Sequence, residues 1–415
     1  MSDPRVSIIV ASFGRPEWLA RCLTALGQIA YPTFEIVIVA DEAGQRAVAA
    51  HAHGARVKVL ANYTPNIAET RNIGIAAAAG EVLAFIDDDA VPEPLWLRHH
   101  VDALNATGAA ASVGFVRGRN GITFQSKAMV IDGNAESHDL PFDVGSFGLP
   151  NVPEGTALKL VGTNFTVRRT AALQLGGFDP AFRFYLDDSD FSRRLAQAGH
   201  RAVVVPDAEV HHAVAASHHR TSRRAPKALG DIGRSTAIFV QKHGDRPPEQ
   251  IWNRMISRER ARLVRHLTAG TCEPRDLAIG MSDLKAGWDD GLAYRGAGST
   301  EISPQNTEFK HFSSQDWQNA HLRARFFSRA KARRDAAALV RSGRRVTLFS
   351  FSATTLRHHV RFVSSGHWEQ TGGTFGPSVR SQPWFRWCSF ANRVKEEAAR
   401  VEKQGRMQDT AARGG

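Results

Sequence analysis

The chain has 415 residues and the mixed composition of a globular protein, enough for two or three domains and a sizeable core, which excludes a disordered or fibrous chain. No apolar run reaches the length of a membrane span, and Met1 to Arg5 leads straight into a strand instead of a signal peptide. The three cysteines, Cys22, Cys272 and Cys388, have no metal-ligand spacing and fit a reducing compartment, so a cytoplasmic protein is expected. The net charge of +12 is unevenly divided. Residues 1–215 hold 18 Lys and Arg against 23 Asp and Glu, whereas residues 216–415 hold 35 against 18. That split assigns the halves different work, the second suited to an anionic membrane face, an acidic polymer or nucleic acid.

Taken in chain order, Arg5 to Ser12 reads as a buried strand, and Gly14-Arg15-Pro16 turns it into a helix. Glu35 to Ala40 is a second strand closed by Asp41, and Arg56 to Leu60 a third. Asn66 to Ala79 is helical. Glu81 to Asp89, EVLAFIDDD, follows: a continuous apolar run too short for a helix, ending in three aspartates. Residues 109–150 read as irregular strands and loops covering a pocket, Lys159 to Arg168 as a strand, and Asp187 to Leu195 as the start of a helix. Ala202 to Val205 and Ala208 to Val210 are short strands, followed at once by His211-His212. Strands alternating with helices predict a mostly parallel sheet covered on both faces, with ligands beyond the carboxyl ends of its strands. Beyond Ser217, Ile232 to His243 and Gln250 to Leu267 read as helices, Thr271 to Phe309 as loop, and Trp317 to Val340 as a basic helix. Arg345 to Ser352, Val360 to Val363 and the 366–376 region read as strands, Val394 to Gln404 as a terminal helix, and the last ten residues as an unstructured tail.

Three constellations carry chemistry. Asp87, Asp88 and Asp89 repel one another beside a buried strand and call for a cation; hard oxygen ligands suit Mg²⁺ or Mn²⁺ shared with a phosphorylated ligand, with His212 or His211 as a further donor. Asp187-Asp188 offers a carboxylate as general base toward a hydroxyl. Asp41 at a strand end can accept the imide N–H of uracil, Arg71 beside Asn72 can approach a phosphate, and Ser12 ends a strand at the same crevice. No dinucleotide fingerprint or phosphate-binding Gly-Lys-Ser/Thr loop is present.

The order of these pieces resembles the family-2 glycosyltransferases, inverting enzymes of the GT-A fold. VSIIVASFGRPEWLARCL is similar to their first strand and helix, IVIVADEAG to the second strand, and NIAETRNIGIAAAAGEVLAFIDDDAVPEPLWL to the stretch ending in the metal-binding D-x-D motif. GTNFTVRRTAALQLGGFDPAFRFYLDDSDFSRRLAQAGHRAVVVPDAEVHH resembles the acceptor-side stretch. The resemblance covers residues 5–217. It implies that Asp89 and Asp87 hold the metal, that Asp88 points toward the ribose and phosphate, and that Asp188 is the base, with Asp187 where Glu is usual. It also implies that His212, or else His211, stands on the metal side. Ala40 where a second Asp is frequent, and Ser12-Phe13-Gly14 in place of Thr-Tyr-Asn, depart from the pattern at the nucleotide.

The expected protein is a GT-A α/β domain over residues 1–217, a basic helical region over 218–340 and a small strand-containing part over 341–415. It would move a sugar from a nucleoside-diphosphate donor, a UDP-sugar first, to a hydroxyl of a saccharide or lipid-linked saccharide. The setting is polysaccharide or glycolipid assembly, with the basic half against the anionic inner face of a membrane. Nucleotidyl transfer at the same acidic site, and nucleic-acid binding by the basic half, are the alternatives.

Overall fold

A computed structural model describes residues 3–142, 147–296, 301–312 and 316–407. Its strands are β1 Val6–Ser12, β2 Phe34–Ala40, β3 Lys58–Ala61, β4 Val82–Asp87, β5 Ala90–Pro92, β6 Ala111–Arg117, β7 Phe124–Ser126, β8 Met129–Ile131, β9 Ser137–Asp139, β10 Ala157–Leu158, β11 Asn164–Arg168, β12 Ala202–His212, β13 Gln318–Arg325, β14 Arg344–Ser352, β15 His359–Phe362 and β16 Trp368–Gly373. The helices are α1 Pro16–Leu26, α2 Glu42–Ala49, α3 Ile67–Ala77, α4 Trp96–Thr107, α5 Arg169–Gln174, α6 Asp187–Gln197, α7 Gly230–His243, α8 Pro248–Thr268, α9 Pro274–Ala293, α10 Arg329–Arg341 and α11 Phe390–Glu402.

The first half is built on a nine-stranded sheet ordered β3-β2-β1-β4-β11-β6-β12-β5, with β7 on β6. β1, β2, β3, β4, β6 and β12 run one way; β11 enters antiparallel between β4 and β6. Every residue of β1 and β2 is buried, as expected of strands covered on both faces. Alternation splits their side chains between two cores: Val6, Ile8 and Val10 meet Leu19 and Leu23 of α1, while Ile9 joins Phe85 and Phe165. Phe85 and Phe165 stack at 4.7 Å, and Phe178 stacks on Phe191 at 4.8 Å, fixing α6 against the sheet. Local signals start the helices: Pro16 opens α1, Asp41 accepts from Gly44 N–H at α2, and Asn66 accepts from Ala68 and Glu69 N–H at α3.

Residues 111–117, within the stretch read above as strands and loops over a pocket, form the strand β6, which lies inside the main sheet; Gly114 is there because Ala208 carbonyl oxygen lies 2.0 Å from where a Cβ would sit. The two short strands expected at 202–210 are one, β12, with a register shift between Val205 and Glu209.

Two expectations for the second half are corrected. Residues 274–293, read as loop, are helix α9; its Gly287 and Gly291 are contact points. A Cβ on Gly287 would lie 1.9 Å from Gly230 oxygen and one on Gly291 2.5 Å from Arg234 oxygen, so the glycines let α7 and α9 cross closely. Residues 318–325, read as the start of a basic helix, form β13, because Ala320, Leu322 and Ala324 alternate and β14 offers a parallel edge. The helix begins only at Arg329. β13, β14, β16 and β15 make a separate four-stranded sheet, so residues 318–325 share a sheet with strands that lie beyond residue 341.

α7 is buried over most of its length and clamps α6: Lys242 and His243 each lie 2.8 Å from Asp190, and Lys242 reaches Asp179. The small sheet is docked by its amino ends. Trp317 donates to Gly27 oxygen, Arg345 to Gln28 oxygen, and Trp368 lies against His211. Of the expected tail, Arg406 is buried; residues 408–415 lie outside the described residues.

Candidate active site

The parallel register aligns the strand ends. Ala11 of β1 pairs with Asp87 of β4, and Ser12 with Ala40 of β2. Because β11 runs the other way, its leading residues Gly162 and Thr163 come to the same edge, and Thr163 Oγ1 donates to Asp87 Oδ2 at 2.6 Å. The chain then turns through the aspartates into β5, which pairs antiparallel with the end of β12, His212 opposite Ala90. These ends line a crevice of about 300 Å³ that also touches Asn66, Arg183, Asp188 and residues 217–220.

Asp87, Asp89 and His212 form one wall, their ligand atoms all within 4.8 Å of one another. His212 Nε2 lies 3.1 Å from Asp89 Oδ1 and 4.0 Å from Asp87 Oδ2, and its Nδ1 lies 3.1 Å from Gln125 Oε1. Burial works to raise the Asp89 carboxyl, but His212, Arg15 and the Ala215 N–H together hold it well below the usual carboxylate range. Ala213 N–H also donates to Asp89 oxygen, so these two bonds pin Val214 between them at φ 52°, a conformation a β-branched residue rarely adopts.

The two histidines separate by strand alternation. His211 points the other way, its Nε2 2.8 Å from Glu93, in a buried cluster with Trp368 and Arg406. His211 therefore does not meet the aspartate wall.

Asp88 also departs from expectation. It is fully buried, 0% exposed, accepts from Ser12 Oγ at 2.7 Å and pairs with Arg15 at 2.5 Å. Burial pushes its carboxyl up to about 7 despite that guanidinium. It thus faces away from the crevice and ties β1 and the α1 turn to β4, instead of reaching toward a ribose. Ser12 lines the crevice with its hydroxyl already committed to Asp88.

On the opposite wall stand Asp187 and Asp188, set by Leu186 at φ 66°, which turns the chain sharply into α6. Asp187 is buried and ion-paired with Arg71; burial pushes its carboxyl up while Arg71 opposes that. Asp188 is the accessible member, its Oδ2 accepting from Gly162 N–H at 2.9 Å.

Arg71 is not free for a phosphate. Its guanidinium is spent on Asp187, on Asp87 at 3.3 Å and on Gly162 oxygen at 3.1 Å, so it cross-links the two walls. Asn72 is outside the crevice, its amide closed on the backbone of Phe178. Asp41 accepts from Gly14 and Gly44 N–H, both carboxylate oxygens engaged in holding the turn after β1 and the start of α2.

Sequence reasoning missed Thr163, although the Gly-Thr-Asn stretch contains it, and Arg15 as a structural partner. Arg15 is committed to Asp88 and Asp89. The loop carrying His219 and Arg220 was also missed; His219 stacks on Phe184 over the crevice. Nothing in its local pattern announces that position.

An acidic strand-end wall opposite a carboxylate pair, at the strand ends of this sheet, is the arrangement that the resemblance to family-2 glycosyltransferases implies. Comparison with known proteins agrees. Residues 7–175 match the family model for glycosyl transferase family 2, and the N-terminal half of the chain is a family-2 glycosyltransferase domain. The pre-mycofactocin glycosyltransferase of Mycobacterium tuberculosis is 30% identical over 186 residues, 43% of this chain and 36% of that protein. The succinoglycan biosynthesis protein ExoM of Rhizobium meliloti is 29% identical over 262 residues, 60% of this chain and 79% of that protein. The chain thus spans about a third of the first of these relatives. Among solved structures, S. aureus TarS 1-349 aligns with a TM-score of 0.42 at 14% identity, covering 69% of this chain and 89% of that one. GalNAc-T7 with UDP, GalNAc and Mn²⁺ aligns at 0.40 and 18%, over 50% and 44%.

Proposed function

We propose that the protein transfers a sugar from a nucleoside-diphosphate donor to a hydroxyl of a saccharide or lipid-linked saccharide, with inversion, in polysaccharide or glycolipid assembly. Residues 1–217 would be the transferase unit. The observation that carries this reading is the crevice itself: Asp87, Asp89 and His212 converge on one wall and an accessible Asp188 faces them from the other.

Two carboxylates and an imidazole, with a carboxylate below its usual range, fit Mn²⁺ or Mg²⁺. Asp87, Asp89 and His212 would hold such a cation, which would supply charge neutralisation to a departing diphosphate. Asp188 accepts the proton of the acceptor hydroxyl as that oxygen bonds to the anomeric carbon; the bond from that carbon to the diphosphate oxygen breaks, and its electron pair leaves with the diphosphate. Gly162 N–H and the α6 start orient Asp188, and Arg71 holds the two walls at a fixed separation. Several groups named from sequence (Asp88, Arg71, Asn72 and Asp41) are engaged in hydrogen bonds and ion pairs that frame this site. ExoM is named for succinoglycan biosynthesis, and a further relative, 42% identical over 81 residues, is an N-acetylglucosaminyl-diphospho-decaprenol L-rhamnosyltransferase; both names support a glycan setting.

A thermal-shift screen of UDP- and other nucleotide sugars with and without Mn²⁺ tests the proposal. A true donor raises the melting temperature by mass action, Mn²⁺ enlarges the rise, and Asp89→Ala removes the enlargement. A donor response identical with and without Mn²⁺, and unchanged in the variant, would sink the metal assignment.

A further inference from the structure

The parallel strands β13, β14 and β16 rest their amino ends on the transferase half, through Trp317, Arg345 and Trp368. Their carboxyl ends therefore point away from it, and the register shows that they finish together: Arg325 pairs with Phe351, and Ser352 with Gly373. The three loops that follow these ends carry six of the large apolar side chains that stand exposed: Phe326, Phe327, Leu356, Trp384, Phe385 and Trp387. Phe327 is 97% exposed and Trp387 81%.

These loops are one surface. Phe375 N–H donates to Thr354 oxygen, its ring stacks on Trp387 at 5.4 Å, and Phe385 lies 5.8 Å away. Arg357 covers Trp384, and Arg325 covers Phe390, which packs on Phe351. The charge is mostly positive: residues 323–334, 353–358 and 374–390 contain no Asp or Glu and nine Lys and Arg, of which Lys331, Arg333 and Arg386 pair with Asp335, Glu369 and Glu396 beyond these ranges. Single exposed apolar residues are ordinary, but a cluster of this kind ringed by cations requires a partner.

We propose that the carboxyl edge of the small sheet docks on an anionic lipid bilayer, with Phe327, Trp384 and Trp387 entering the interface and Arg325, Arg357 and Arg380 meeting lipid phosphates. Phe326, Phe327 and Leu356 offer nothing to the hydroxyls of a glycan, whereas Trp, Phe and Arg together suit the boundary between headgroups and acyl chains. Among the described residues no helix is long and apolar enough to cross a membrane, so contact of this kind is peripheral.

The test uses the full chain and its own tryptophans. Vesicles of phosphatidylcholine with phosphatidylglycerol should bind the protein and shift its tryptophan emission to the blue, with at least ~10-fold weaker binding to pure phosphatidylcholine and loss of binding at high salt. Brominated lipids should quench that emission in the unmodified protein. The triple variant Phe327→Ser/Trp384→Ser/Trp387→Ser should bind at least ~10-fold more weakly with unchanged far-UV circular dichroism. Absent vesicle binding, no quenching by brominated lipid, or binding of dextran sulfate in place of vesicles would each overturn the proposal. Quenching in the unmodified protein decides the matter should the variant fold poorly.

Discussion

At the residue scale the site depends on which carboxylates are free and which are consumed. Asp187 and Asp188 are adjacent, yet Arg71 takes the first and leaves the second facing the crevice. Asp188→Asn should therefore lower turnover by at least ~10²-fold with donor affinity little changed, measured as separate kcat and KM. Asp187→Asn should act through the position of Arg71, raising the apparent donor KM as well. His100 supplies a pH prediction away from the site. It is fully buried between Ser112 and Asn164, and burial pushes its imidazole down to about 4 from 6.5. The unfolded state thus binds the extra proton first, so the stabilisation is full above 6.5 and is lost as pH falls toward 4. Urea unfolding should show His100→Gln losing up to on the order of 3 kcal/mol of that acid dependence relative to wild type.

At the element scale, the sequence showed helices and strands wherever the pattern was local. EVLAFIDDD could be read because a fully buried strand and its acidic end lie within nine residues. β13 could not, since Ala and Arg suit a helix and only the edge of β14, reached through α10, turns QNAHLRAR into a strand. α9 was hidden by its glycines, whose purpose exists only once α7 lies across them. Gly287→Val should consequently cost at least ~2–3 kcal/mol, seen as a lower urea midpoint, because its Cβ would overlap Gly230 backbone oxygen. Since α7 supplies Lys242 and His243 to Asp190 of α6, the variant should lose transfer activity along with stability.

At the scale of the whole molecule, the two histidines show the limit of sequence reading. Either could have faced the aspartates; the choice rests on β5 pairing with β12, and on Glu93, Trp368 and Arg406 receiving His211 on the other side. Arg406 lies 2.8 Å from Glu93 with both buried, so Arg406→Ala leaves a buried carboxylate that has lost its guanidinium and keeps His211 beside it. Such a loss should cost about 3–5 kcal/mol, measured by chemical unfolding, and Glu93→Gln in the same chain should recover part of it.

That same contact spans 313 residues. On a ribosome adding about 5–20 residues per second, Glu93 emerges roughly 15–60 s before its guanidinium partner is made. Throughout that interval the nascent first half carries Glu93 without that guanidinium, beside His211 and the strand that presents His212. Locking of the crevice therefore waits until residue 406 is made, and a ribosome that stalls before codon 406 releases a chain whose first half is already made but not yet locked.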